Sequence, residues 1–127
     1  MPLARIDLIR GKSPAYRRVI GDVVAEGIVD ILKAPKGDRF QVIAEHDAAD
    51  FIFDPTFLDI ERSPDCVFIQ VTLRTGRSLE QKRAFYKWVV DELQARLHMR
   101  REDLFINLVP NGNEDWSFGN GEAQLVK

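Results

Sequence analysis

Met1-Pro2-Leu3-Ala4-Arg5-Ile6-Asp7-Leu8-Ile9 opens the chain, and its reading decides the fold. From Leu3 to Ile9 apolar and charged residues partly alternate, which reads as a β-strand at the very start of the sequence. The segment has no apolar stretch with a cleavage signature, so it does not read as a signal peptide. A strand this early holds the second residue inside the fold rather than in a frayed tail. That residue is Pro2. Removal of Met1, which a small second residue permits, would leave a secondary amine. An ordinary α-amino group titrates at about 7.7–8.0; burial or nearby cations lower that value and a carboxylate raises it. Pro2 is therefore a candidate acid or base near neutral pH. The plain alternative is chance, since proline makes up about 5% of residues.

Outward from this strand, Arg10-Gly11-Lys12 turns the chain. Ser13 followed by Pro14 is a hydroxyl cap with proline at the first helical position. Tyr16, Val19, Ile20, Val23, Val24, Ile28, Ile31 and Leu32 then recur at three- and four-residue spacing, which predicts an amphipathic helix. Gly27 on this face would allow close approach to the sheet. Pro35 and Gly37 end the helix, and Phe40 to Glu45 reads as a second strand. Residues 46–65 are less regular, with Phe51-Ile52-Phe53 and Phe57-Leu58-Asp59-Ile60 separated by Asp54-Pro55. Short strands or an extended arm are expected there. The aromatic content fits either a subunit interface or a cover for the domain's own core.

Cys66 to Leu73 is the clearest strand, almost uniformly apolar and β-branched as a central strand should be. Ser78-Leu79-Glu80-Gln81 is a capping box. The helix after it carries Phe85, Tyr86, Val89, Val90, Leu93 and Leu97 on one face. Leu104 to Val109 is the last strand, ended by Pro110, and residues 111–127 form a Gly- and Asn-rich tail around Trp116-Ser117-Phe118. The two halves match: Ser13 and Ser78 stand 65 positions apart, as do Phe40 and Phe105. The expected fold is α/β (α+β), a duplicated β-α-β unit (repeats 2–45 and 66–110). It forms a four-stranded sheet with two helices on one face, in a single domain over 1–127.

A net charge of −2 argues against a nucleic-acid partner, which calls for a basic face. The apolar runs are too short to span a bilayer. The single cysteine, Cys66, rules out an internal disulfide framework, fits a reducing cytoplasm and reads as a packing residue. His46 and His98 have no metal-ligand spacing, and no G-x-G-x-x-G, P-loop or H-E-x-x-H is present. No cofactor and no metal are expected.

Arg74, Gly76, Arg77 and the cap at Ser78 form the most informative polar cluster. Two guanidinium groups stand beside a helix start whose first N–H groups lack partners, which suits an anion, and arginine binds carboxylates in bidentate fashion. The plain alternative is solvated loop charge. Asp38 is either a turn residue or a group that orients water or holds a proton. Trp116 and Phe118 either anchor the tail or wall a pocket.

The chain resembles the tautomerase superfamily, most closely its malonate semialdehyde decarboxylase-like branch. The matching stretches are Met1-Pro2-Leu3, Gly37-Asp38-Arg39-Phe40-Gln41, Ile60-Glu61-Arg62-Ser63, Arg77-Ser78 with Glu80-Gln81-Lys82, and Asp115-Trp116-Ser117-Phe118-Gly119 with Gly121. No one piece is specific; the ordered set is. The resemblance implies a homotrimer with an N-terminal proline in each active site. It implies Pro2 as acid or base, Arg74 and Arg77 on the carboxylate and carbonyl of a small carboxylate substrate, Asp38 assisting water or proton handling, and Trp116 and Phe118 as a hydrophobic wall. One departure stands out. The decarboxylase pattern has one residue between its two arginines, whereas Thr75 and Gly76 separate Arg74 from Arg77, so the second arginine would approach the pocket differently. Tautomerisation is the expected chemistry, with decarboxylation or hydration as the alternative. A different class, a non-catalytic ferredoxin-like ligand-binding module, shares the same element string.

Overall fold

The computed structural model describes residues 2–126. The first strand, β1, runs Leu3–Ile9. Ser13 then caps the first helix, its Oγ accepting from the Tyr16 N–H at 3.1 Å, and Pro14 begins α1, Pro14–Asp30. After β2, Phe40–His46, the chain enters its irregular connection. The strands or extended arm expected there are two short 3-10 turns, Ala48–Asp50 and Phe57–Asp59. Leu58 and Asp59 both have φ of 58°, a left-handed conformation in which no strand continues. β3, Val67–Arg74, leads to α2, Leu79–Leu97, and β4, Leu104–Asn111.

The strand order is β2-β1-β3-β4. β1 pairs parallel with β2 and antiparallel with β3, and β3 pairs parallel with β4. Each β-α-β unit therefore keeps its two strands adjacent, and the two units meet along β1 and β3. A ferredoxin-like module splits its β-α-β units with an inserted strand, so that alternative is corrected by the topology. The expected duplicated, four-stranded architecture is the observed one.

Alternation along the strands sets two faces. Ala4, Ile6, Leu8, Val67, Ile69, Val71 and Leu73 point inward and are buried against Ile20, Val23, Val24, Ile28, Phe85, Val89 and Leu93 of the helices. The helices meet closely at Gly27, where an added Cβ would lie 2.5 Å from Trp88 Cδ1 and 3.0 Å from Phe85 Cε1. The close approach expected at Gly27 is thus to α2, not to the sheet. Trp88 Nε1 also donates to the Val23 carbonyl at 3.1 Å.

The opposite face of the sheet carries no helix among the described residues. Phe51 is buried there, stacked on Phe68 at 4.4 Å, so the connection covers part of its own sheet. Phe40, Val42, Phe57, Leu58, Phe105 and Val109 remain exposed. The connection is tied down at its far end by the buried carboxylate of Asp103, which accepts from the Ser63 N–H and Oγ–H, both at 2.7 Å. No helix among the described residues is long and apolar enough to cross a membrane.

Candidate active site

Strand register gathers the candidate residues at one edge of the sheet. Leu3 faces Phe40 on β2 and Thr72 on β3. Continued by one residue, the same registers set Pro2 beside Arg39 on one side and Leu73 on the other. β3 and β4 end with Arg74 opposite Asn111. Asp38, Pro2, Arg74 and Asn111 thus come from the ends of four different strands or their immediate flanks. They form one row where the sheet opens.

Pro2 is buried and lines two cavities. The smaller, about 40 Å³, is shared with Asp38, Ala4, Ile28, Arg39 and Gln41. A cavity needs roughly 10–15 Å³ of such space to hold one water, so a water fits in the cavity that Pro2 and Asp38 share. Gly37, with φ of 87°, turns the chain just before Asp38 in a conformation that favours glycine. Asp38 Oδ2 is buried without a hydrogen-bond partner among the described residues. A buried polar atom left unpaired costs about 1–3 kcal/mol and points to water or ligand at that spot.

The larger Pro2 cavity, about 490 Å³, is walled by Phe40, Thr72, Asn111, Trp116 and Phe118. The Trp116 and Phe118 rings stack at 5.5 Å with 19° between planes, and Trp116 Nε1 donates to Asn111 Oδ1 at 2.7 Å. The tail is therefore fixed to the end of β4 and presents an aromatic surface to Pro2.

Arg74 lies in a third, open cavity of about 660 Å³ with Arg77, Thr75, Asn111 and Asn113. Its Nη1 donates to Asn113 Oδ1 at 3.1 Å, while its Nε is buried without a partner among the described residues. The two partnerless buried side-chain atoms found among those residues belong to Asp38 and Arg74.

Arg77 sits differently. Its Nε donates to the Leu32 carbonyl and its Nη1 to the Arg74 carbonyl, both at 2.9 Å. Burial first, and the Arg74 charge second, pull its pKa below the usual arginine value. Two of its nitrogens are thus committed to backbone, one at the end of α1 and one beneath Arg74. The helix start at Ser78 is also committed: Ser78 Oγ accepts from the Gln81 N–H at 3.1 Å and Gln81 Oε1 from the Ser78 N–H at 3.0 Å. The box consumes donors that the sequence left open for an anion. Removal of Met1 concerns a residue outside those described.

Asn111 and Asn113 were not among the candidates read from sequence. Treating Pro110 as the end of β4 hid them. A strand drawn two residues longer would have set Asn111 beside Arg74.

Two family models, each described as tautomerase enzyme, match residues 38–119 and 2–59. The chain is 35% identical over 127 residues to "Probable tautomerase YusQ" of Bacillus subtilis (strain 168), covering all of both chains. Among solved structures it is similar to FG41 malonate semialdehyde decarboxylase inhibited by 3-bromopropiolate. There the TM-score is 0.87 and the identity 38%, covering 96% of this chain and 92% of that one. It is also similar to a malonate semialdehyde decarboxylase solved in wild-type, mutant and inactivated forms. That match has TM-score 0.88 and 32% identity over 97% and 95% of the two chains.

Proposed function

The chain belongs to the tautomerase superfamily and is a tautomerase-type enzyme, and from that premise we propose that its Pro2 amine, freed by loss of Met1, moves a proton on a small 2-oxo or enol carboxylic acid. The observation that carries the proposal is the row of strand ends. In strand order it puts Pro2 between Asp38 and Arg74, two residues whose side chains each keep a buried atom without a partner among the described residues.

In this mechanism Arg74 holds the substrate carboxylate, and the rest of the substrate lies over Pro2 against Trp116 and Phe118. A neutral Pro2 amine takes the proton from the enol oxygen, leaving an enolate, and returns it to carbon as the C=O bond forms. Arg74 stabilises the negative charge that develops on oxygen, an electrostatic contribution strongest in a site that excludes water. General acid–base transfer of this kind contributes about 10²–10⁴-fold. Asp38 holds the water that fits in the small cavity. Arg77 supports Arg74 from beneath.

A second chemistry is favoured by one feature. Asp38 shares the small Pro2 cavity, and a carboxylate there raises the amine pKa. A prolinium would instead donate to the oxo group of a 3-oxo acid such as malonate semialdehyde. The electrons of the C–CO₂ bond would pass into an enol, carbon dioxide would leave, and the enol would be protonated on carbon. The two decarboxylases similar to this chain support this alternative.

The exposed apolar residues on the helix-free sheet face, with Phe40 59% exposed, favour assembly with further copies of the chain, which we propose is a homotrimer. The test of function is ketonisation of an aromatic enol-pyruvate, followed by ultraviolet absorbance. It uses protein shown by intact mass to lack Met1, beside Pro2→Ala. Turnover that Pro2→Ala lowers by 100-fold or more is expected. Turnover that survives in Pro2→Ala contradicts the assignment. No turnover in either protein, with malonate semialdehyde decarboxylated, moves the assignment to the second chemistry.

A further inference from the structure

Asn111 has one amide and two different neighbours. Trp116 Nε1 lies 2.7 Å from its Oδ1. The indole N–H can only donate, so the amide oxygen must be the atom that faces it. The NH₂ end therefore points away from Trp116, and among the described residues it has no hydrogen-bond acceptor. The backbone is fixed as well, since the Asn111 carbonyl accepts from the Thr75 N–H at 2.7 Å. Thr75 follows Arg74 directly, and Arg74 is the register partner of Asn111 across β3 and β4. Strands in a sheet stand about 4.8 Å apart, and Asn111 and Arg74 line the same cavity. Asn111 is also the residue that the Arg74 cavity and the Pro2–Trp116 cavity have in common.

We propose that Asn111 is the specificity-determining residue of the site. Its Nδ2 donates to an oxygen on the carbon next to the carboxylate held by Arg74, and so selects 2-oxo and 2-enol acids over plain carboxylates. The proposal rests on Arg74 as the carboxylate anchor and deepens that assignment. A neutral donor suits this position. It stabilises a carbonyl, enol or enolate oxygen without competing with Arg74 for the carboxylate. A site built around such a donor rejects the analogue lacking the oxygen, because the donor, once covered by that ligand, is left unpaired. Trp116 orients the amide, so the aromatic wall and the polar selector form one unit.

The experiment compares binding of phenylpyruvate with 3-phenylpropionate, which has the same skeleton without the 2-oxygen, by titration calorimetry. Wild-type protein is expected to prefer phenylpyruvate by roughly 5- to 100-fold, the range of one hydrogen bond to a charged or strongly polar group. Asn111→Leu is expected to remove that preference, read as the ratio of the two dissociation constants. Asn111→Asp, which keeps an acceptor for Trp116 and loses the donor, is expected to lose the preference too, and it carries the test if the leucine variant does not fold. An unchanged preference in the variants, equal weakening of both ligands, or no preference in wild type would overturn the proposal. The readout is binding alone. Wild-type preference with no turnover of either the enol-pyruvate or malonate semialdehyde would therefore sink the acid–base assignment of Pro2 and leave that of Asn111 standing.

Discussion

Arg77 Nε lies 2.9 Å from the carbonyl oxygen of Leu32, a residue 45 positions earlier, at the point where α1 gives way to its exit loop. The contact joins the first β-α-β unit to the loop that carries Arg74. With Nη1 on the Arg74 carbonyl, it makes Arg77 a strut. Charged hydrogen bonds contribute about 1.5–3 kcal/mol each, and partial solvent exposure of Arg77 reduces that, so Arg77→Ala is expected to destabilise the fold by about 2–4 kcal/mol, seen as a lower denaturant midpoint. Arg77→Lys should not restore it, because one ammonium cannot present two nitrogens to two separated carbonyls. Arg74→Ala should leave the midpoint nearly unchanged and raise KM at least tenfold. Equal midpoints for the two alanine variants would contradict this division of labour.

Gly27 tests the packing between the helices. Alanine is intrinsically better in a helix by about 1 kcal/mol, yet its Cβ would lie 2.5 Å from Trp88 Cδ1 and 2.8 Å from Trp88 Nε1. Relief requires the indole to move and abandon the Val23 carbonyl. Overpacking of this kind costs about 1–3 kcal/mol, so the clash outweighs the propensity. Gly27→Ala is expected to unfold at lower denaturant than wild type; a higher midpoint would show that the helices part easily.

Helix starts were legible in the sequence because each is local. Ser13 and Ser78 cap within three residues, and the apolar periodicity that follows is long enough to exclude a strand. The 65-residue repeat was legible for the same reason. Pro110 misled: a missing N–H ends an interior strand, but β4 is an edge strand, where proline is tolerated. That error hid Asn111 and with it the polar side of the site. The turn at Leu58 and Asp59 had no periodic signal at all. The engagement of Arg77 with Leu32 depends on a contact between distant segments, which no spacing rule encodes.

Asp103 illustrates the same limit. It is 1% exposed and holds Ser63 by two hydrogen bonds of 2.7 Å, with Arg100 Nη1 at 3.6 Å. Asp103→Ala leaves the Ser63 N–H without its acceptor and is expected to cost about 2–3 kcal/mol. It should also loosen the connection over residues 47–66, read as faster amide hydrogen exchange there than in α2.

Cys66 provides a pH test. It is fully buried, and burial first, with the Asp103 charge second, pushes its thiol pKa up to about 11. The unfolded thiol ionises near 8.5. Between those values the unfolded chain loses a proton that the folded chain keeps, so this group makes stability fall as pH rises from about 8.5 towards 11. Replacing it with alanine should flatten that part of the profile. In the native protein near neutral pH, iodoacetamide should leave Cys66 unmodified, whereas denatured protein should be alkylated fully.

The central claim is that the Pro2 nitrogen is the acid or base. It is tested most directly by titrating that nitrogen with ¹⁵N-proline NMR in protein lacking Met1, alongside the pH profile of kcat/KM for the enol substrate. The account predicts that the nitrogen titrates at the same pH as one limb of the profile: the rising limb if the amine acts as a base, the falling limb if it acts as an acid. A nitrogen that titrates away from both limbs would contradict it.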